Sequence, residues 1–293
     1  MNFLITIDLD LVRSNIGQYL ISCWFRFILS SFQIVHFLVY LYHIAGFLVC
    51  LYSDTKFHQK LFNKDQTDFS VLLFPILIIL ACYFYYLTSK GPGFVEIDEL
   101  PFCQKDYSWH CNICNLTPPL RSTHCKKCQR CVLRRDHHCP WLGVCVGMEN
   151  HFFFIVFLLF DSIVFFKFMI ESFPVTQKSD TDFIEWIFTS FLCAIVCAVG
   201  AFGFIQTSIL FPFHVFLAIT NKTTWESLKS DTITYMKGWY SSLSPFSRGM
   251  KMNIYEFVTM RWNHPIYELP QGSRLEQWKM ENSFLVNDSY ECC

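Results

Sequence analysis

Charged residues are scarce. Asp, Glu, Lys and Arg make up 16% of the 293 residues, where a soluble domain carries nearer a quarter. Set against 53% hydrophobic and 18% aromatic residues, that scarcity excludes an ordinary water-soluble domain and points to a membrane protein. The formal net charge is only -1, so overall charge says nothing of partners. No basic segment precedes the first apolar stretch, and Asp8 and Asp10 interrupt it, so the N-terminus does not read as a signal peptide. No internal repeat or low-complexity tract stands out.

What is abundant is apolar sequence in blocks. A membrane span needs about 20 apolar residues to cross a hydrocarbon core of roughly 30 Å. Four segments qualify: Phe27 to Tyr52, Phe69 to Thr88, Phe152 to Ile170, and a run that starts near Phe183 and stays apolar to Ile219. The last run is too long for one untilted span. We read it as one span followed by an apolar helix that exits and lies at the cytosolic face. Basic residues orient the chain. Residues 89–151 hold Lys90, Lys105, Arg121, Lys126, Lys127, Arg130, Arg134 and Arg135, whereas Glu171 to Asp182 holds only Lys178. The region from 89 to 151 and the tail are therefore expected in the cytosol, with the N-terminus on the same side. The sequons at Asn115, Asn221 and Asn287 all fall on that side, so no N-glycan is expected.

Of the 15 cysteines, seven fall between Cys111 and Cys145, interleaved with histidines. Cys-x2-Cys pairs alternating with His favour zinc over a disulfide framework, and hence a reducing compartment. The ligand candidates are Cys111, Cys114, His124, Cys125, Cys128, Cys131, His137, His138, Cys139 and Cys145. Two closed, four-coordinate sites use eight of these ten and leave one Cys and one His over. The adjacent His137 and His138 point to opposite faces of an extended segment, so only one serves a given metal easily. The other can face Cys139, with Asp136 fixing its tautomer. The count does not say which pair is spare.

The stretch "RSTHCKKCQRCVLRRDHHCPW", preceded by Cys111-x2-Cys114 and followed by "CVG" and Asn150, resembles the DHHC family of protein S-acyltransferases. The tail adds "TTWE", Thr223 to Glu226, similar to that family's TTxE motif. It also adds "SPFSRGMKMN", ending at Asn253 and similar to the family's C-terminal motif. The resemblance implies an α-helical multi-pass membrane protein with four transmembrane helices and a cytosolic zinc-stapled cysteine-rich domain between the second and third. The implied boundaries are 1–88, 89–151, 152–220 and 221–293. By position it implies one zinc on Cys111, Cys114, His124 and Cys131, and another on Cys125, Cys128, His138 and Cys145. The pair left over is His137 and Cys139, with Asp136 behind the imidazole. Three departures stand out: Val144 where the family usually has Asn, Gly91-Pro92-Gly93 where it has Asp-Pro-Gly, and Asp161 and Lys167 inside a span, where charge is expensive.

The activity implied is palmitoyl transfer from fatty acyl-CoA to cysteine thiols of membrane-associated proteins, through an acyl-enzyme on Cys139. Trp141 would contact the acyl chain near its thioester. Golgi or endoplasmic reticulum is the family-level expectation, with both termini cytosolic, the bilayer as a partner and no nucleic acid. The competing reading is a membrane-anchored zinc scaffold without catalysis. A RING-type variant of it would need a closing Cys-x2-Cys pair, and none follows Cys145 before the last two residues. The basic residues Lys126, Lys127, Arg130, Arg134 and Arg135 are expected to form a solvated face. Thr223, Thr224 and Glu226 are expected to pin the tail against the zinc domain, and Asn253 to satisfy backbone groups at a buried turn. Asp161 is expected to lock two helices through a hydrogen bond, and Cys103, His110 and His151 to have local packing or polar roles. The terminal pair Cys292-Cys293 reads equally as a lipidation site, with self-acylation as one route, or as a free tail.

Overall fold

The computed structural model describes residues 34, 36–53, 55–62, 69–96, 110–173, 183–236 and 244–268. Expectations for Cys103, Asn287, Cys292, Cys293 and the start of the first apolar segment lie outside these residues. The described elements are helix α1 (His36–Tyr52), α2 (Lys56–Phe62) and α3 (Leu73–Ser89), entered through a 3-10 turn at Phe69–Leu72. Four three-residue strands follow: β1 (Thr123–Cys125), β2 (Arg130–Val132), β3 (His137–Cys139) and β4 (Val144–Val146). Helices α4 (His151–Ser172), α5 (Phe183–Ile219), α6 (Thr224–Lys229) and α7 (Met250–Asn263) complete the order.

Helices α4 and α5 are each long and apolar enough to cross a membrane. Helix α3 has 17 residues, about 26 Å of rise, and α1 is bent by 62° from α2 across a short break. Side chains on the outer faces of these helices stay exposed, as with Phe188 at 70% and Phe202 at 58%. So much exposed apolar surface has no place in water and matches a lipid environment. On the inner faces, Cys50, Phe57, Phe74, Ile78, Ala81, Val164, Phe168 and Val196 form one buried cluster. Gly200 and Gly203 of α5 let the backbone of α4 approach. A Cβ at Gly203 would come within 2.6 Å of the Phe165 ring, the small-residue contact that apolar helices use in place of a hydrophobic drive.

The charges buried in this region are paired. His43 Nε2 meets Asp161 Oδ1 at 2.8 Å and joins α1 to α4. Lys167 Nζ donates to Glu171 Oε1 at 2.8 Å, one turn on. Glu171 Oε2 accepts from the backbone N–H of Phe57 at 3.0 Å. Thr55 caps the same end of α2, accepting from His58 N at 3.1 Å. Glu171 and Thr55 thus satisfy donors that a helix start leaves orphaned.

One expectation is corrected. The apolar run from Phe183 to Ile219 is not a span plus a separate helix but a single unbroken helix of 37 residues. Its rise of about 56 Å exceeds a bilayer core, so the helix carries its last turns to the level of the strands. It stops where the sequence supplies a cap. Asn221 takes a left-handed conformation (φ 50). Lys222 N then donates to Leu217 O at 2.9 Å, and Asn221 N to Ala218 O at 3.3 Å. This is a Schellman ending with Asn in place of the usual Gly.

Candidate functional site

The strands form two hairpins. In the first, His124 stands opposite Cys131, and in the second, His138 stands opposite Cys145. Each hairpin offers a His–Cys pair at its middle rung and a Cys at the start of its turn. The turns close through residues in the left-handed region, Gln129 (φ 56) and Gly143 (φ 64). Asn115 (φ 51) closes a third loop, in which Cys111 bridges Leu116. These positions recur every 14 residues: Cys111, Cys125, Cys139; Asn115, Gln129, Gly143; His110, His124, His138. The sequence reading missed this internal repeat. Its fingerprint is backbone conformation and spacing, with little identity between the units.

The structure brings Cys111, Cys114, His124 and Cys131 together in one quartet, and Cys125, Cys128, His138 and Cys145 in another, with all ligand atoms of each within 4.8 Å of one another. Cys114 Sγ lies 3.2 Å from His124 Nδ1, and Cys111 Sγ 3.6 Å. In the second quartet His138 Nδ1 lies 3.7 Å from Cys125, 3.4 Å from Cys128 and 3.7 Å from Cys145. A tetrahedron built on bonds of about 2.3 Å to sulfur and about 2.0–2.1 Å to nitrogen has edges of about 3.6–3.8 Å. Both quartets fit a four-coordinate metal ion. In each, the second cysteine of the Cys-x2-Cys knuckle points its backbone N–H at the first thiol at 3.5 Å. The quartets interleave: each unit's knuckle is completed by the next unit's His–Cys pair.

The third unit departs from this scheme. Where Cys114 and Cys128 complete their knuckles, it carries Leu142, fully buried. Cys139, itself only 5% exposed, packs instead among Tyr85, Leu142, Val144, Phe154, Phe157 and Leu158. Strand alternation sends His138 to the second quartet and His137 to the other face. There His137 Nδ1 donates to Asp136 Oδ2 at 2.7 Å, and the ring shares that face of β3 with Cys139, two residues on. With Nδ1 engaged by Asp136, Nε2 is the nitrogen left for the thiol. Burial works against a charged ring here, but the bond to Asp136 and the nearby Cys139 thiol outweigh it and push His137 up to about 9. Burial alone would also raise Asp136. The imidazoles of His151, His137 and His214 around it hold its carboxyl well below the usual carboxylate range instead.

Asp136 is where the tail arrives. Thr224 donates its backbone N–H to Oδ1 at 2.7 Å and its hydroxyl to Oδ2 at 2.8 Å. Thr224 is held there because Thr223 and Glu226 form a capping box at the start of α6. Glu226 also takes a two-pronged ion pair from Arg121, Nε to Oε1 and Nη2 to Oε2, both at 2.7 Å. The Arg121 guanidinium lies over Phe246 and Tyr267 at 4.3 and 4.5 Å. Asn221 joins the same node, its Oδ1 accepting from Arg121 at 2.9 Å and from Arg134 at 3.1 Å. Asn253 donates to Ile219 O at 2.7 Å and accepts from Arg248 N at 2.8 Å, closing the turn after the tail motif.

Arg134 corrects a second expectation. It is not on a solvated face with Lys126, Lys127 and Arg130 but buried, turned inward by a left-handed backbone (φ 41) toward Asn221. The Trp141 ring is 59% exposed, outside the cluster around Cys139, while its carbonyl accepts from Tyr85 Oη at 3.0 Å. His151 and His214, buried beside Asp136, were respectively given a local role and not singled out by the sequence reading. A lone His in the apolar run of α5 was the signal available for the second.

A family model described as DHHC palmitoyltransferase matches residues 104–231. The chain is 30% identical over 225 residues to human palmitoyltransferase ZDHHC12, covering 72% of this chain and 81% of that protein. It is 37% identical over 227 residues to palmitoyltransferase ERF2 of Kluyveromyces lactis, covering 69% and 61%. It is 30% identical over 183 residues to protein S-acyltransferase 10 of Arabidopsis thaliana, covering 62% and 52%.

Proposed function

The chain belongs to the DHHC palmitoyltransferase family, and we propose that it transfers a long-chain acyl group, palmitoyl foremost, from acyl-CoA to cysteine thiols of membrane-associated proteins. The observation that carries this reading is the division of the ten Cys and His candidates. Eight lie in two complete quartets, and Cys139 and His137 lie together outside them, with Asp136 behind the imidazole.

Two structural zinc ions are assigned to the quartets, where they cross-link the cysteine-rich domain and leave the chemistry to side chains. In the first step His137 Nε2 takes the Cys139 proton. The thiolate attacks the acyl carbonyl carbon, the carbon–sulfur bond to CoA breaks, and CoA leaves with the proton from His137. In the second, the incoming thiol gives its proton to His137 and attacks the Cys139 thioester. Cys139 leaves as the thiolate and regains that proton. Asp136 holds His137 with Nδ1 protonated, so that Nε2 is the basic atom in both steps. One thioester is exchanged for another, so the demand is positioning more than driving force. The apolar cluster around Cys139 is built with side chains of α3 and α4. Each methylene buried there contributes about 0.8 kcal/mol, which lets the acyl chain supply most of the binding. Trp141, exposed beside the nucleophile, is assigned to the same chain near its thioester.

The chain is assigned four spans: one ending in α1, then α3, α4 and α5. The segments are 1–88, 89–151, 152–220 and 221–293, with the cysteine-rich domain and both termini on the cytosolic side of a Golgi or endoplasmic reticulum membrane. The central test is Cys139→Ser with a clickable palmitate analogue. Acyl-CoA-dependent labelling is expected to vanish while two zinc ions per chain remain. Hydroxylamine-sensitive labelling at the wild-type level in that variant would overturn the nucleophile.

A further inference from the structure

Two buried imidazoles beside Asp136 are not used by the transfer chemistry. His151 opens α4, and His214 lies in the last two turns of α5. His151 Nε2 and His214 Nδ1 share a hydrogen bond of 2.9 Å. His151 Nδ1 then faces Asp136 Oδ1 at 4.0 Å, and His214 Nδ1 faces Asp136 Oδ2 at 3.9 Å. His151 is fully buried, and its Nδ1 makes no hydrogen bond. Phe154 presents an edge contact to both His137 and His214, with centroids at 5.5 and 4.9 Å. Phe257 packs against His151 at 5.0 Å. The rings are therefore fixed by packing, and only their protons remain to be assigned.

The 2.9 Å contact holds one proton, which leaves two arrangements of neutral rings. If His151 donates from Nε2, its Nδ1 lone pair faces a carboxylate at 4.0 Å, and His214 Nδ1 can offer that carboxylate no proton either. In a dry site, lone pairs turned on an anion are costly. If His214 donates from Nδ1, the His151 proton sits on Nδ1 and its N–H dipole points at Asp136 Oδ1. Only the second arrangement gives the orphaned nitrogen a favourable neighbour.

We propose that His151 and His214 form a positioning dyad: His214 Nδ1–H donates to His151 Nε2, and His151 Nδ1–H stabilises the Asp136 carboxylate that orients His137. The dyad rests on the acyl-transfer reading above and deepens it. It links the catalytic carboxylate to α4 and α5, as Thr224 links it to the tail. Neither ring touches the reacting atoms, so both are positioning residues.

The test is a double-mutant cycle in the full-length protein, with single-turnover acylation of Cys139 by palmitoyl-CoA as the readout. His151→Phe is expected to slow acylation about tenfold or more, with the half-saturating acyl-CoA concentration unchanged. His151→Asn, whose amide can place an N–H near the Nδ1 position, should recover part of that loss. In an Asp136→Asn background His151→Phe should change the rate less than about twofold. Additive effects, or an asparagine variant no better than phenylalanine, overturn the dyad while leaving Cys139 acylation intact. Labelling that persists in Cys139→Ser would instead overturn the reading beneath it. A second readout needs no variant. In protein labelled with 15N-histidine, His151 and His214 are both expected to be protonated at Nδ1, and a proton on His151 Nε2 overturns the assignment.

Discussion

Asp136 gathers contacts from three parts of the chain: its sequence neighbour His137, Thr224 of the tail and the imidazoles of the membrane helices. Two of its donors, the Thr224 N–H and hydroxyl, are neutral, and the third is the ring whose tautomer it sets. An amide in its place presents an N–H where His137 already has one, which turns the wrong nitrogen toward Cys139. Asp136→Asn is therefore expected to slow Cys139 acylation by at least about a hundredfold; neutralising the orienting carboxylate of a Ser-His-Asp triad costs about ten-thousandfold. Thr224→Val removes one of three donors and should cost roughly tenfold, near the low end of an unmet buried acceptor. Single-turnover labelling with zinc content measured alongside separates these from misfolding. A Thr224→Val loss larger than that of Asp136→Asn would reverse the hierarchy. The opposite facing of His137 and His138 was legible in the sequence, because strand alternation is local. The imidazole of His214 was not: only tertiary packing brings it to a residue 78 positions away. Arg134 misled for a related reason. Its left-handed backbone turns a surface-like residue inward, and composition carries no sign of that.

Among the elements, the repeating unit explains why the proposed nucleophile, Cys139, sits where it does. In the first two units the cysteine that opens the turn joins a quartet that fits a metal ion, with a second cysteine three residues on. In the third, Leu142 fills that place and leaves Cys139 in an apolar setting. Leu142→Cys restores a knuckle beside His137. It is expected to raise zinc content above two per chain when zinc is supplied, and to make acylation sensitive to added zinc. Leu142→Ala opens a comparable cavity without a ligand, and should lose stability by about 2–5 kcal/mol with no new zinc sensitivity. Equal zinc responses in the two variants would show that Leu142 has no part in keeping metal from the nucleophile. Helix α6 has six residues, too few to hold itself, so its position depends on the Arg121–Glu226 pair. Glu226→Gln leaves Arg121 buried without its counter-charge, which costs about 3–5 kcal/mol. A drop in thermal stability together with slower acylation is the expected outcome. Unchanged acylation would mean that Thr224 stays on Asp136 without the capping box.

For the whole molecule, hydropathy made the apolar helices legible, but not how far they extend past the bilayer. Helix α5 illustrates the limit, because its stop is written in the backbone of Asn221 and not in the apolar run. The same residue bears on topology. Asn221 heads a sequon, yet it is buried with its side chain committed to Arg121, Arg134, Phe246 and Glu256. It has no room for a glycan on either side of a membrane, so its lack of modification would not locate the tail. Asn115 is the informative native site, because it is exposed and lies in the cysteine-rich region. With four spans and cytosolic termini, Asn115 should stay unmodified, whereas a sequon inserted between residues 174 and 182 should be glycosylated. Endoglycosidase-sensitive mass shifts read both. A shift at Asn115, or none at a 174–182 sequon that is modified when the same segment is fused to a secreted reporter, would invert the assignment. That inversion would also place Cys139 where acyl-CoA does not reach it. The topology and the proposed donor therefore stand or fall on the same pair of measurements.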